Sequence, residues 1–208
     1  MSPSLRSRTE EVHVHDPSEI LQPPIGRSPD RNDVRSSELS RAADELIELL
    51  QQGHALTASL SDEDYATSIE TEGTVASWAS PGAHTRHLLD FVGCLLSGID
   101  ARRIDYTARK RRGEVEAIRE VGRREIESAI EGLEGIRHLE GRLPVEVRPE
   151  PGQDWTRSTV SRELQFVSTH VLHHHALIRL TLAQRGVEAP PEFGVAPSTL
   201  RYRAEEDH

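Results

Sequence analysis

The sequence predicts an all-α fold: a four-helix bundle with a short strand and turn before its last helix and a disordered N-terminal arm. Three observations carry this reading. Four separate stretches place apolar residues at the helical spacing of about 3.6 residues. One stretch, LPVEVRPEPGQDW, breaks that period, with Val145 and Val147 alternating with charges ahead of a Pro-Gly turn. The first 33 residues follow no period at all. Four helices joined with one long first connection and a longer last one describe a bundle.

Residues 1–33 are rich in Ser, Pro, Arg, Asp and Glu, and a segment of that composition buries too little apolar surface to order itself. His13 and His15 lie there, on a segment with nothing to fix ligand geometry. The bundle is expected over residues 34–188, beginning near Ser36. In SSELSRAADELIELLQQG, Leu39, Ala43, Leu46, Ile47 and Leu50 share a face, Ser36 or Ser37 can cap the start, and Gly53 can stop the helix. A long connection, LSDEDYATSIETEGTVASW, follows. The second helix has Ser80 as N-cap, Pro81 in its first turn and Gly98 at its end. Its inward stripe runs through His84, His87, Leu88, Phe91, Cys94 and Leu95.

IDYTARKRRG then reads as a basic loop. The third helix, 114–135, turns Val115, Ile118, Val121, Ile126, Ile130 and Leu133 inward. The fourth, about 158–185, buries Leu164, Val167, Val171, Ile178 and Leu182 and ends at Gly186. The tail, 189–208, opens too Pro-rich for a helix and closes on an acidic, frayed end. Its FGVAPSTLRYR segment can fold over a site as a lid or simply fasten the C-terminus, with Phe193 and Leu200 as anchors in either case.

Composition narrows the function. A formal net charge of −10 argues against a general nucleic-acid binder, which needs a basic face, so the 109–112 run reads as a solvated loop. A single cysteine, Cys94, fits a reducing compartment and a place in the core. No apolar run has the length of a signal peptide or a membrane span, and a cytoplasmic protein is expected.

The residues that stand out are imidazoles. Four of the eleven histidines fall in STHVLHHHAL: His170, His173, His174 and His175. His170 and His174 are four apart, so they sit over one another on one helical face, about 6 Å apart. His173, three from His170, can substitute, and His175, turned about 100° from His174, is expected to face outward or a groove. Two imidazoles at that spacing can converge on one ion, and His84 and His87 add a second inward cluster. Several neutral imidazoles in one core are costly unless each nitrogen finds a partner, and a divalent cation satisfies several at once. Three histidine ligands with an open position make a catalytic rather than a structural metal site.

GAHTRHLLDF, IDYTARKRRG, SRELQFVSTHVLHHHALI and FGVAPSTL, in that order, resemble the DinB-like (DinB/YfiT) superfamily of small bundle metalloproteins, from about residue 37 to residue 200. The resemblance implies a four-helix bundle with one divalent metal, zinc or nickel, held by one histidine of the second helix and an H-x-x-x-H of the fourth. The second-helix ligand usually precedes a leucine, as in RHLLD, so the resemblance assigns the metal to His87, His170 and His174. His84 departs from the commoner pattern as an additional imidazole. It is expected to support a ligand or move protons, or alternatively to be the second-helix ligand in place of His87, and His173 is expected to move protons. Family members with known activity include thiol-dependent S-transferases and isomerases, where a metal lowers the pKa of a bound thiol or water.

Tyr106 and Arg109, after the second helix, are candidates for binding an anionic ligand, against a plain packing role. Glu163 lies two turns from His170 and is expected to pair with Arg86 or Arg162. The function expected is therefore a metal-dependent enzyme acting on a small molecule with a low-molecular-weight thiol or water, of S-transferase, isomerase or hydrolase type. The alternative is a non-catalytic metal- or ligand-binding protein on the same bundle. No nucleic acid or membrane partner is expected, and a homodimer is compatible with a small bundle.

Overall fold

Helical periodicity in the first ordered stretch runs further than its capping residues suggest. In the computed structural model, which describes residues 31–68, 70–71, 74–75 and 80–206, helix α1 spans Arg31–Ser59. The last three residues of the expected arm are thus helical. The rest of the arm, with His13 and His15, lies outside the described residues. Gly53 does not stop α1. It sits inside the helix, where a Cβ would come within 3.0 Å of His175 Nε2, so the glycine is there for close packing. Leu39, Ala43, Leu46, Ile47 and Leu50 are all buried, as their shared face predicts.

The long connection carries structure of its own. Helix α2, Asp62–Ala66, is capped by Ser61, whose Oγ accepts from the Asp64 amide at 3.0 Å. Strands β1, Glu70–Thr71, and β2, Thr74–Val75, pair antiparallel. Helix α3, Pro81–Ile99, begins as its sequence predicts, with Ser80 Oγ accepting from the Ala83 amide at 2.9 Å and Pro81 in the first turn. Gly98 lies within the last turn rather than after it. A Cβ there would meet the Arg103 carbonyl at 2.5 Å, so the glycine admits strand β3, Arg103–Asp105, against the helix end.

The third predicted helix is broken. Helix α4, Gly113–Ala117, and α5, Arg119–Ile136, meet at Ile118, which is extended and half exposed instead of facing inward. Tyr65 explains the break. Its fully buried ring packs at Gly82 and Gly122, and its hydroxyl donates to the Val115 carbonyl at 2.6 Å. After the interruption α5 takes a new phase, burying Gly122, Ile126, Ala129 and Leu133.

Strand β4, Pro144–Arg148, falls where LPVEVRPEPG predicts it, with Val145 and Val147 inward. It belongs to a larger sheet than one short strand suggests. β3 pairs parallel with β4, which pairs antiparallel with β5, Thr156–Thr159. The fold is therefore mostly helical with a small three-stranded sheet, rather than purely α. The stretch read as a basic loop supplies β3.

β5 runs into helix α6, Val160–Gln184, whose start is capped by Thr159. Its end closes as the sequence predicts. Gly186 adopts φ of 73°, and the Val187 amide reaches the Leu182 carbonyl at 2.9 Å. Helices α1 and α3 each pack against both α5 and α6. The tail carries a helix that its composition hides, α7, Pro197–Glu206, and residues 207–208 of its acidic end lie outside the described residues. No described helix is long and apolar enough to cross a membrane.

Candidate metal centre

Two helices, α3 and α6, bring the imidazoles together. His84 and His87 are one turn apart near the start of α3, and His170 and His174 are one turn apart in the middle of α6. One nitrogen from each of His87, His170 and His174 lies within 4.8 Å of those of the other two. The ring centroids are 5.1 Å apart for His87 and His170, and 4.6 Å for His174 with either. His174 is buried and the other two are half-buried. The cluster can hold a metal ion.

The chemistry of the donor set supports that capacity. His170 Nε2 is buried and has no hydrogen-bond partner among the described residues. Such a group costs roughly 1–3 kcal/mol unless something satisfies it. Burial pushes the imidazoles of His84 and His170 down to about 4 and that of His174 further, with neighbouring histidines adding to each. His87 is lowered as well, first by burial and then by the charge of Arg109. All four are neutral at pH 7, the state in which an imidazole can donate a lone pair.

His84 is buried and faces His174, with their Nδ1 atoms 3.0 Å apart. One of these nitrogens must carry the proton and the other accept it. His173 is exposed, its ring 5.2 Å from that of His174. His175 departs from expectation. It is 1% exposed rather than outward-facing, and its ring stacks on Phe193 at 4.4 Å. Phe193 is an anchor for the tail, whereas Leu200 is only half-buried.

Tyr106 and Arg109 have different surroundings. Tyr106 is buried against Phe91, with its hydroxyl donating to Glu163 Oε2 at 3.0 Å. Burial, followed by the Glu163 charge, holds that hydroxyl well above its usual range. Arg109 is half-buried with its guanidinium 5.4 Å from the Phe91 ring, and its Nε is buried without a partner among the described residues. Its charge is felt at His87 and His170, whereas Tyr106 faces a carboxylate. Glu163 pairs with neither expected arginine. It is buried and accepts from Tyr106 and from Ser158 Oγ at 2.5 Å, while Arg86 bonds Glu116 at 2.8 Å. Cys94 is a core residue, its thiol pushed up to about 11 by burial.

The role of Glu163 was missed in the sequence because its partners come from β5 and from the residue following β3, elements that spacing within α6 does not reveal. For His175, Gly53 was the available signal, since an interior glycine marks a close approach.

No family model matches the chain, and no solved structure matches it. A stretch of 46 residues is 41% identical to FK506-binding protein 5 of Rhizopus delemar, spanning 22% of this chain and 12% of that protein. That is too little of either chain to show a family.

Proposed function

We propose that this protein is a DinB-like bundle enzyme that holds one divalent metal, zinc or nickel, on His87, His170 and His174. The observation that carries the reading is the meeting of three imidazoles from two helices, with one nitrogen of each within 4.8 Å of those of the other two. When bound, such a cation lowers the pKa of a coordinated thiol or water, supplying a nucleophile at neutral pH for transfer to, or hydrolysis of, a small electrophile.

The chain's own residues then divide the work. A neutral imidazole that offers one nitrogen to a cation carries its proton on the other. If His174 gives Nε2 to the metal, its Nδ1–H donates to Nδ1 of His84, which is then the Nε2–H tautomer. His84 thereby orients His174 and strengthens it as a donor. Arg109, with an unpartnered Nε beside the cluster, is suited to steer an anionic thiol or substrate. The exposed His173 can pass protons to solvent. A cytoplasmic setting accords with the lone, buried cysteine.

The second reading is a non-catalytic site closed by His84 as a fourth ligand. The open site is favoured because the nitrogens that come together are those of His87, His170 and His174, and a His84 whose Nδ1 accepts from His174 carries its proton on Nε2, leaving no lone pair for an ion. Cobalt substitution tests this. We expect visible bands that shift when a small thiol is added, together with thiol-dependent turnover of small electrophiles. Bands indifferent to thiol, with no turnover across such a screen, would establish the closed site.

A further inference from the structure

A cavity of about 570 Å³ opens beside the sheet, and no histidine lines it. Its walls include Tyr106, Val147, Arg157, Arg162, Glu163 and Phe166. Three features distinguish it from a crevice left by packing. Glu163 is only 5% exposed, yet its carboxylate lines the cavity and receives only neutral hydroxyls, from Tyr106 at 3.0 Å and Ser158 at 2.5 Å. No arginine or lysine pairs with it among the described residues, although buried charges are ordinarily paired. Aromatic rings adjoin it, with Tyr106 and Phe166 edge to face at 5.4 Å and the Arg162 guanidinium 5.8 Å from the Phe166 ring centroid.

The exposed rim has the opposite character. Arg157 and Arg162 both line the cavity, and neither forms an ion pair with a carboxylate among the described residues, in a chain whose net charge is −10. A carboxylate at the floor and two guanidiniums at the mouth are complementary to a ligand with a positive inner end and a negative outer end. The volume is within the range of small-molecule sites.

We infer that this cavity is a binding site for a small zwitterion of the amino-acid class, its ammonium on Glu163 and its carboxylate on Arg157 and Arg162. Tyr106 and Ser158 hold the Glu163 carboxylate in place. Val147 and the Phe166 ring give the apolar wall for the ligand's side chain. Phe166 also lies 6.2 Å from the His170 ring, so the site adjoins the imidazole cluster, but the inference does not rest on a metal there.

The test is calorimetric titration of the full-length protein with each common L-amino acid at about 10 mM, a concentration that detects dissociation constants in the millimolar range. At least one is expected to bind, with its amide and its N-acetyl derivative each weaker by about tenfold or more, since each lacks one charge. Glu163→Gln keeps the side chain's shape and should weaken binding by at least about tenfold. Arg157→Ala with Arg162→Ala, both on the exposed rim, should weaken it comparably at an unchanged melting temperature. The double variant decides the matter if Glu163→Gln fails to fold. Absence of binding by every amino acid overturns the inference. So does undiminished affinity in the folded Glu163→Gln protein, or in the double variant.

Discussion

His174 and His175 are neighbours in the same helix, both buried, and they belong to different regions. His174 meets His84, His87 and His170, and each of these contacts offers or requires a nitrogen. His175 stacks on Phe193 in a cluster with Leu56, Leu60, Tyr65, Ile178 and Leu182, beside the closely packed Gly53. Burial lowers both imidazoles, His175 to about 3 by desolvation alone. A lowered pKa therefore does not separate a ligand from a packed ring. The difference is what surrounds the nitrogens: other imidazoles in one case, and in the other Gly53 of α1 beside Nε2, with Nδ1 buried and without a partner among the described residues.

The largest effect expected from this contrast is on metal content. For the proposed centre, His170→Ala should reduce bound divalent metal, measured by elemental analysis, from near one per chain to below about a tenth, because two remaining ligands would hold an ion far more weakly. Helical circular dichroism should survive. His175→Ala should do the reverse, leaving metal near one per chain while lowering stability by roughly 2–4 kcal/mol, the range for truncating a buried side chain. Loss of metal in His175→Ala, or its retention in His170→Ala, would erase the distinction between the regions.

The two regions were not equally legible in the sequence. The face shared by His170 and His174, and the stripe through His84 and His87, follow from helical spacing, which is a local property. So do the cap at Ser80 and the stop at Gly186. That His87 would come close to that pair rested on the resemblance, since spacing cannot align two helices. What the sequence hid depends on contacts between distant elements. The break at Ile118 depends on Tyr65, fifty residues from its acceptor. β3 is a strand because β4 pairs with it. A helical wheel turns His175 outward because it assumes one buried face, whereas α6 is covered by α1 and α3 and, at His175, by Phe193 from the tail.

Intermediate effects should sharpen the contrast within each region. His84→Ala removes the partner of His174 without removing a proposed ligand, so metal affinity should fall by about 10–100-fold while stoichiometry at saturation holds. Competition with a chelator measures this. A failure to reach one ion per chain would instead make His84 a ligand. On the other side, Gly194 has φ of 71°, and a Cβ there would come within 2.9 Å of the Ala176 amide nitrogen. Gly194→Ala should therefore loosen Phe193 from His175 and cost about 1–3 kcal/mol in denaturant unfolding, with metal content unchanged.

The smallest effect separates acid sensitivity of the imidazoles from that of the sheet. Arg148 bonds Asp105 through both of its forks, Nε at 3.1 Å, and this pairing first, with Thr107 assisting, holds the Asp105 carboxyl down to about 2 from 3.8. A carboxyl lowered in the fold binds its proton more readily when unfolded. Its contribution is thus complete above pH 3.8 and disappears as pH falls toward 2. The buried imidazoles, lowered from 6.5, begin to lose theirs at higher pH. Asp105→Asn should therefore flatten the stability profile only below about pH 4 and leave its slope between pH 5 and 7 unchanged. Denaturant titrations at half-unit pH steps would read both limbs. A changed upper limb in Asp105→Asn would mean that the sheet and the imidazoles titrate as one system, and the two buried histidine regions could then no longer be compared apart from it.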